Sequence, residues 1–575
     1  MDIIDIILAR AGASGGGGGG GDTSNAVTDV TVENADTSAA KIKKAKVRKN
    51  AITKAYEVMK NYTSKGKNED GSMTQKAITA ELDLLNTRID NIVVGEINLG
   101  PENAGKLVLV GDDGGLVPGT LTEEDIKGGV VPPPPPPVVP EKIVGLEIDY
   151  TNSVFTRLED SEYLNPGAQF DQFKMYGGRM RCNVADDGTI NAFYGDANYA
   201  EDGSNGQVMI YQPRFYYKRE VLEFKKDNPT AISKERLYLS YGEQDDYKVH
   251  PLFINDSNDI LDYVLLPAYE GSAYDVSASS YIVDDSADVD FATDKLSSIG
   301  GVKPISGVGK GFTAITAEQM AQNRGPGWHI TNMRMESANQ MLMITEYGQM
   351  NMQLALDYGA VTLADLKNHN CALLTGSTAD LGNASGTATE SIQTRGENSY
   401  TVTQAKQCAI SYRGMENLWG NTWRMVGGVL IYGDGEQRHG MPYIAADYNY
   451  SSDSIDNYIS SDFTLSANSS GVWIGNMGYS NADLDWVYFP VCGDGKSAVP
   501  VGDRLYTIGK TLRGILGLVV GGQWLQDLQA GPFDYACDSS YANATRSNNA
   551  CIMFIPVVNN IYNANISKWQ AKMGV

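Results

Sequence analysis

Several things are scarce in this chain of 575 residues. No stretch approaches 18 consecutive apolar residues, so no segment reads as a membrane span. Histidine occurs only as His250, His329, His369 and His439, and neither an HExxH nor a GxSxG pattern is present. Gly509-Lys510-Thr511 lacks the upstream glycine of a phosphate-binding loop, because Arg504 sits there. Six cysteines are spread from Cys182 to Cys551 without a CxxC pair, which speaks against a zinc ribbon or a disulfide framework and for free thiols, although Cys537 and Cys551 could approach each other. Positive charge is short: 46 Lys and Arg stand against 70 Asp and Glu, and a net charge of −24 argues against nucleic acid as the main partner. The opening Met-Asp-Ile-Ile-Asp-Ile-Ile-Leu carries acids where a secretory signal carries positive charge, so the expectation is a chain that stays in the cytosol until released by another route.

What is present is glycine and tyrosine. With 62 Gly, 32 Tyr and 42% apolar residues, the chain has enough material for a core and reads as loop-rich and β-rich. Residues 1–36 hold a short apolar peptide and the unbroken Gly15–Gly21 tract, a flexible tether. Residues 37–95 read as helical. Their start is basic, from Lys41 to Lys49, as a solvated helix face would be. Ile78, Leu82, Leu85, Ile89 and Ile92 then recur at spacings of 4, 3, 4 and 3, a heptad seam whose mixed Ile and Leu suit a short trimeric coiled coil. Residues 96–129 read as a small β module, with a strand over Lys106–Val110 and a turn at Asp112–Gly115. Within 130–141, six consecutive prolines from Pro132 to Pro137 form a stiff spacer of ~3.1 Å per residue. Residues 142–575 alternate short strands and turns with one or two helices, an α+β pattern. Val208–Lys218 is expected as one strand, and Met333–Tyr358 as a helix whose methionines fill core.

The segment Gly521–Phe554 carries the functional signal. Apolar runs at Ile515–Val520 and Cys551–Ile555 read as buried strands on either side of it. From Gln523 to Asn549 there is no Lys, Glu, Ile or Val, and Ser, Asn, Ala, Asp and Tyr fill the space with a single Arg. Amphipathic aromatics among short polar groups resemble an antibody paratope. The candidate ligand contacts are Gln523, Leu525, Gln526, Asp527, Asp534, Tyr535, Ala536, Asp538, Tyr541, Asn543, Thr545, Arg546 and Asn548. Trp524 and Phe533 sit at framework positions. A second candidate surface holds Tyr443, Tyr448, Tyr450 and Tyr458. The Asp-rich turns at Asp284-Asp285 and Asp453 offer oxygen ligands to Ca²⁺, but no EF-hand spacing frames them and no cofactor is expected.

The frame G-G-x-W…A-G-P-F…S-N-N-x-C-I, preceded by Tyr412–Trp423 with its Gly-Asn-x-Trp element, resembles the C-type-lectin-like domains that end many phage tail fibres. These belong with formylglycine-generating-enzyme-like domains, and the resemblance covers roughly residues 145–556. It implies a lectin-like scaffold displaying a loop surface at 523–549. In some of those proteins a diversity-generating retroelement rewrites this segment by mutating template adenines. Asp534, Tyr535, Ala536, Asp538, Tyr541, Asn543, Thr545 and Asn548 fit the products of such mutated Asn codons, whereas Gln523, Gln526 and Gln529 depart from that set.

The resemblance implies a non-enzymatic phage receptor-binding protein, homotrimeric, docked to a tail or baseplate protein through its N-terminus. It would be present in the virion, and in the host cytoplasm during assembly. Its partner would be a bacterial surface receptor, protein or glycan. A bacterial adhesin with the same domain is the first rival, and the lack of a signal sequence separates it. An enzyme of the formylglycine-generating class or a depolymerase is the second, and the lack of a catalytic constellation separates that one.

Overall fold

The computed structural model describes residues 142–557 apart from 283–286, 308–310, 364–371, 396–397, 437–438, 451–453, 467–470, 480–482, 539 and 541–543, together with the backbone of 107–110 and 116–119. The glycine tract, the basic helix, the heptad seam and the proline run lie outside the described residues. Contacts divide the chain after Pro140 into two units. In the first, Leu107–Val110 pairs antiparallel with Leu116–Gly119, while the turn expected at Asp112–Gly115 lies outside the described residues.

In the second unit the regular structure among the described residues is mostly β-sheet, with few helices. A five-stranded antiparallel sheet runs in the order Lys248–Val249, Tyr216–Lys225, Asn228–Ser240, Ile143–Asp149, Val154–Glu159. A six-stranded sheet places Ile552–Phe554 between Trp328–Ile330 and Tyr263–Pro267 and continues through Gln207–Pro213 and Met180–Val184 to Ile190–Phe193. The strand expected over Val208–Lys218 is therefore two. Gln207–Pro213 ends at a proline that has no amide to donate, and Tyr216–Lys225 starts again in the other sheet.

Helix α1 (Lys174–Gly177) is a single turn; α2 (Ala314–Gln322) and α3 (Met333–Tyr347) are longer, and α4 (Met352–Ala355) is again one turn. The helix expected to reach Tyr358 stops eleven residues early, because Gly348 takes a left-handed φ of 65° and its amide closes on Ile344 O. Asn332 caps the other end of α3, accepting from the Met335 amide at 3.0 Å. Met341, Met343, Met350 and Met352 are all buried, as expected of core filler.

Helix α3 is enclosed on every side, so it shows no apolar stripe. Each polar residue within it is matched to a partner on another element. Glu336 receives a two-pronged bond from Arg424, and Asn339 accepts from Arg179 at 2.7 Å. Gln340 donates to Pro532 O and Tyr535 Oη, and Glu346 binds Arg413. Buried polar groups are costly unless they find such partners. These bonds fix α3 against the sheet that carries the C-terminal segment.

That sheet has eight strands. Its path is Tyr458–Ser460, His439–Ala445, Trp423–Asp434, Arg513–Val520, Tyr535–Cys537, Arg504–Thr507, Val472–Trp473, with Asn548–Asn549 parallel to the start of Trp423–Asp434. Both flanking strands expected around the candidate surface exist, as Arg513–Val520 and Ile552–Phe554.

Candidate functional site: the face around Arg504 and Tyr506

The Tyr412–Trp423 motif folds as a hairpin followed by a loop. Strands Ile410–Tyr412 and Met415–Glu416 are joined by Arg413 and Gly414, both at positive φ (45° and 88°), the geometry whose twist suits a two-residue hairpin. Trp419 is fully buried and its indole donates to Tyr358 O at 3.1 Å. Asn421, at φ 55°, is the hub of the loop. Its amide donates to Ala360 O at 2.8 Å, its Oδ1 accepts from the Leu373 amide at 2.8 Å, and its carbonyl accepts from the Trp524 amide at 3.0 Å. Its Nδ2 donates to Glu270 Oε2 at 2.5 Å. Glu270 also accepts from Asn417 Nδ2 and Thr422 Oγ1. Burial raises its carboxyl above the ordinary range, against the opposing pull of those three donors. Gly420 and Gly521 join the two loops, amide to carbonyl, at 3.0 Å. The Gly-Asn-x-Trp loop and the Gly-Gly-Gln-Trp loop are thus one clasp.

Within the C-terminal segment the chain alternates between core and surface. Trp524 and Phe533 are buried, as framework positions should be. Asp534, Tyr535 and Ala536 are buried too, which corrects the expectation that they face a ligand. The cause is topological: Tyr535–Cys537 is an interior strand, parallel to Arg504–Thr507 on one side and antiparallel to Arg513–Val520 on the other. Tyr535 Oη accepts from Gln340 Nε2 at 2.7 Å and donates to Tyr488 O at 2.9 Å, and its ring meets Phe489 edge-on. Asn548 is likewise buried, in the short strand beside Trp423. Asp538 is exposed, whereas Gln523, Leu525, Gln526, Asp527, Thr545 and Arg546 are half-buried. Tyr541 and Asn543 lie outside the described residues, as do Asp284, Asp285 and Asp453. In the second candidate surface Tyr443 and Tyr448 are buried and Tyr450 and Tyr458 half-buried, so that stretch supports the interior more than it displays side chains.

The structure adds residues that the sequence did not single out. Arg504 and Tyr506 share one face of their strand, and Trp473 pairs with Arg504 on the next. The guanidinium of Arg504 lies over both rings, 5.1 Å from Trp473 and 5.7 Å from Tyr506. Arg504 Nη1 donates to Gln529 Oε1 at 2.6 Å, and Tyr506 Oη donates to the same oxygen at 2.5 Å. Gln526 Nε2 in turn donates to Tyr506 Oη at 3.0 Å. Trp423 meets Tyr506 edge-on at 6.4 Å, and its amide donates to Ser547 O, which ties this face to the 545–547 stretch. On the other side Lys406 Nζ pairs with Asp527 Oδ1 at 2.7 Å. The result is a half-buried aromatic and arginine face rimmed by glutamines. The alternation Arg504-Leu505-Tyr506-Thr507 was its sequence signal.

The described cysteines, Cys182, Cys408, Cys492, Cys537 and Cys551, are free thiols. Burial pushes Cys551 up to about 12 and Cys537 well above its usual value, so neither is a thiolate at neutral pH. His329 Nδ1 lies 2.8 Å from Glu318 Oε1, half-buried and engaged. Among the described residues no group of three or more His, Cys, Asp or Glu side chains is placed to hold a metal.

No family model matches the chain, and no curated protein matches it. Among solved structures, "Major Tropism Determinant U1 Variant" and "Major Tropism Determinant P3c Variant" align over 66% of this chain and 73% of theirs, each at 11% identity and a TM-score of 0.21. A likeness of that size carries no argument about fold or function, and the assignment of a role rests on the residues themselves.

Proposed function

We propose that the chain is a receptor-binding fibre protein that attaches a phage virion to a bacterial surface through the face around Trp473, Arg504 and Tyr506. The observation that carries this reading is the make-up of that face. Trp, Tyr and Arg dominate interface energetics, and here they share one sheet face whose backbone is held by the Asn421 clasp and the enclosed helix α3. Such a surface is pre-organised, so little ordering cost falls on binding. The motifs of Tyr412–Trp423 and Gly521–Phe554 support a C-type-lectin-like scaffold beneath it.

The ligand is a bacterial surface protein or glycan. Half-buried and exposed positions at its rim, Gln523, Asp538, Thr545 and Arg546, are where replacement costs the fold least, so a diversified surface would be built there. The heptad seam at Ile78–Ile92 supports a homotrimer, and the tethered N-terminal peptide supports docking to a tail or baseplate protein. Three tips per fibre turn weak contacts into avid attachment.

The test is adsorption to host cells by virions carrying Trp473→Ala or Arg504→Ala. Adsorption is expected to fall by roughly tenfold or more, as for loss of an interface hot spot, while thermal unfolding stays near that of the parent. Unchanged adsorption by both variants would sink the proposal.

A further inference from the structure

The least explained groups in the molecule lie just under the Arg504–Tyr506 face. Asp503 and Asp534 are both fully buried. Asp503 Oδ2 accepts from the Phe533 amide at 2.8 Å, but its Oδ1 has no hydrogen-bond partner. Neither carboxyl oxygen of Asp534 has one. Three carboxyl oxygens are thus enclosed without a donor, whereas Glu270, Glu336, Glu346 and Glu416 elsewhere in the interior are each surrounded by donors. An isolated buried carboxylate costs several kcal/mol, so such a group calls for an ion, a proton or a water to complete it.

Glycine backbone lies against both carboxyls. Asp534 N donates to Gly531 O at 3.0 Å, and Gly531 also lies against the Asp503 carboxyl, where a Cβ would fall 2.1 Å from Oδ1. A Cβ at Gly522 would fall 2.7 Å from Asp534 Oδ2 and 2.9 Å from Gln526 Cγ. Only glycine at these two positions lets the backbone approach the carboxyls so closely, and the Gln526 side chain packs beside Asp534. The Gln526 amide stands close to Asp534 and favours its charged form, while its Nε2 donates to Tyr506 Oη at 3.0 Å. Arg504 contributes positive charge nearby. Its Nη atoms are directed to Gln529 and Gly471 O rather than to either Asp, and its buried Nε has no partner.

We propose that Asp503 and Asp534 form a site for a hard divalent cation, Ca²⁺ by its chemistry, beneath the 521–534 segment. Two carboxyls without His or Cys do not suit zinc or another transition metal, whereas Ca²⁺ completes its shell with neutral oxygens such as a side-chain amide and water. The ion would tie the strand Arg504–Thr507 to the 521–534 loop and so set the position of Gln526 and Gln529 on the outer face. This proposal does not depend on the receptor-binding reading: the ion can be bound whether or not the face above it meets a receptor.

The experiment uses the full-length protein stripped with EGTA at neutral pH, with thermal unfolding followed after adding CaCl₂ or MgCl₂. The wild type is expected to gain several degrees with Ca²⁺. Asp503→Asn and Asp534→Asn should fold in EGTA and show no such gain, their Ca²⁺ affinity lowered by roughly tenfold or more through loss of a charged ligand. Absence of a Ca²⁺ shift in the wild type overturns the proposal and leaves protonated or water-bridged carboxyls, and an undiminished shift in both variants overturns it as well. Should either variant fail to fold, Tb³⁺ luminescence of the wild type, sensitised by the neighbouring Tyr506 and Tyr535, decides. Signal displaced by Ca²⁺ supports the site, and its absence refutes it.

Discussion

Replacing Asn421 with alanine tests the clasp that holds the C-terminal segment. Three losses combine. Glu270, buried with three donors, loses the one at 2.5 Å, and a charged partner left short inside the protein costs about 1.5–3 kcal/mol. The Leu373 amide, buried beside it, loses its acceptor at a cost of about 1 kcal/mol. Alanine also tolerates the left-handed φ of 55° less well than asparagine, by roughly 1 kcal/mol. The expected destabilisation is about 3–5 kcal/mol, a large share of a folding free energy of roughly 5–15 kcal/mol. Asn421→Gly removes the backbone penalty and keeps the other two, so it should be about 1 kcal/mol more stable than Asn421→Ala. Urea unfolding followed by tryptophan fluorescence measures both, and Trp524 reports locally because its amide bonds to the Asn421 carbonyl. If Asn421→Ala lies within about 0.5 kcal/mol of the parent, the reasoning fails. It fails too if the glycine variant is the less stable of the two.

Glu416 supplies a pH signature. Burial pushes its carboxyl up to about 7 from an ordinary 4.5, despite the hydrogen bonds it accepts from Thr378. A raised carboxyl stabilises the fold below pH 4.5, and that contribution disappears as pH rises towards 7, a change of about 3 kcal/mol. Glu416→Gln stays neutral, so the stability difference between parent and variant should shift in the variant's favour across that window. A pH-independent difference would contradict the assignment. Tyr535→Ala should cost about 3–5 kcal/mol, since it empties an interior site and strands Gln340. Asp538→Ala, at an exposed position, should stay within about 0.5 kcal/mol. Paired denaturation curves that show equal effects would mean that Tyr535 is not the core residue the sheet makes it.

The elements around the candidate segment were legible because their signals are local. Ile515–Val520 and Cys551–Ile555 are apolar runs, and they appear as strands within two residues of the expected bounds. The strand Gln207–Pro213 stops where a proline removes the donor. The end of helix α3 was missed although Gly348 stood in plain view. A helix buried on every side shows no change of periodicity when it stops, so only the cap geometry marks its end.

The larger error concerned Asp534, Tyr535 and Ala536, and its cause is physical. A stretch without Ile or Val looks displayed, yet composition records only what a side chain is, not which strands enclose it. Tyr535–Cys537 is interior because Arg504–Thr507 runs parallel to it, and a parallel partner is joined through a crossover of many residues that leaves no turn to read. The same crossover brings Asp503 against Gly531 and puts Arg504 and Tyr506 beside Gln526 and Gln529. Two of the three glutamines that depart from the diversification pattern, Gln526 and Gln529, are therefore fastened to a neighbouring strand. A side chain that anchors a platform by its own hydrogen bonds cannot vary freely, so the departure of Gln526 and Gln529 reads as architecture, and variation would be confined to rim positions such as Asp538 and Arg546.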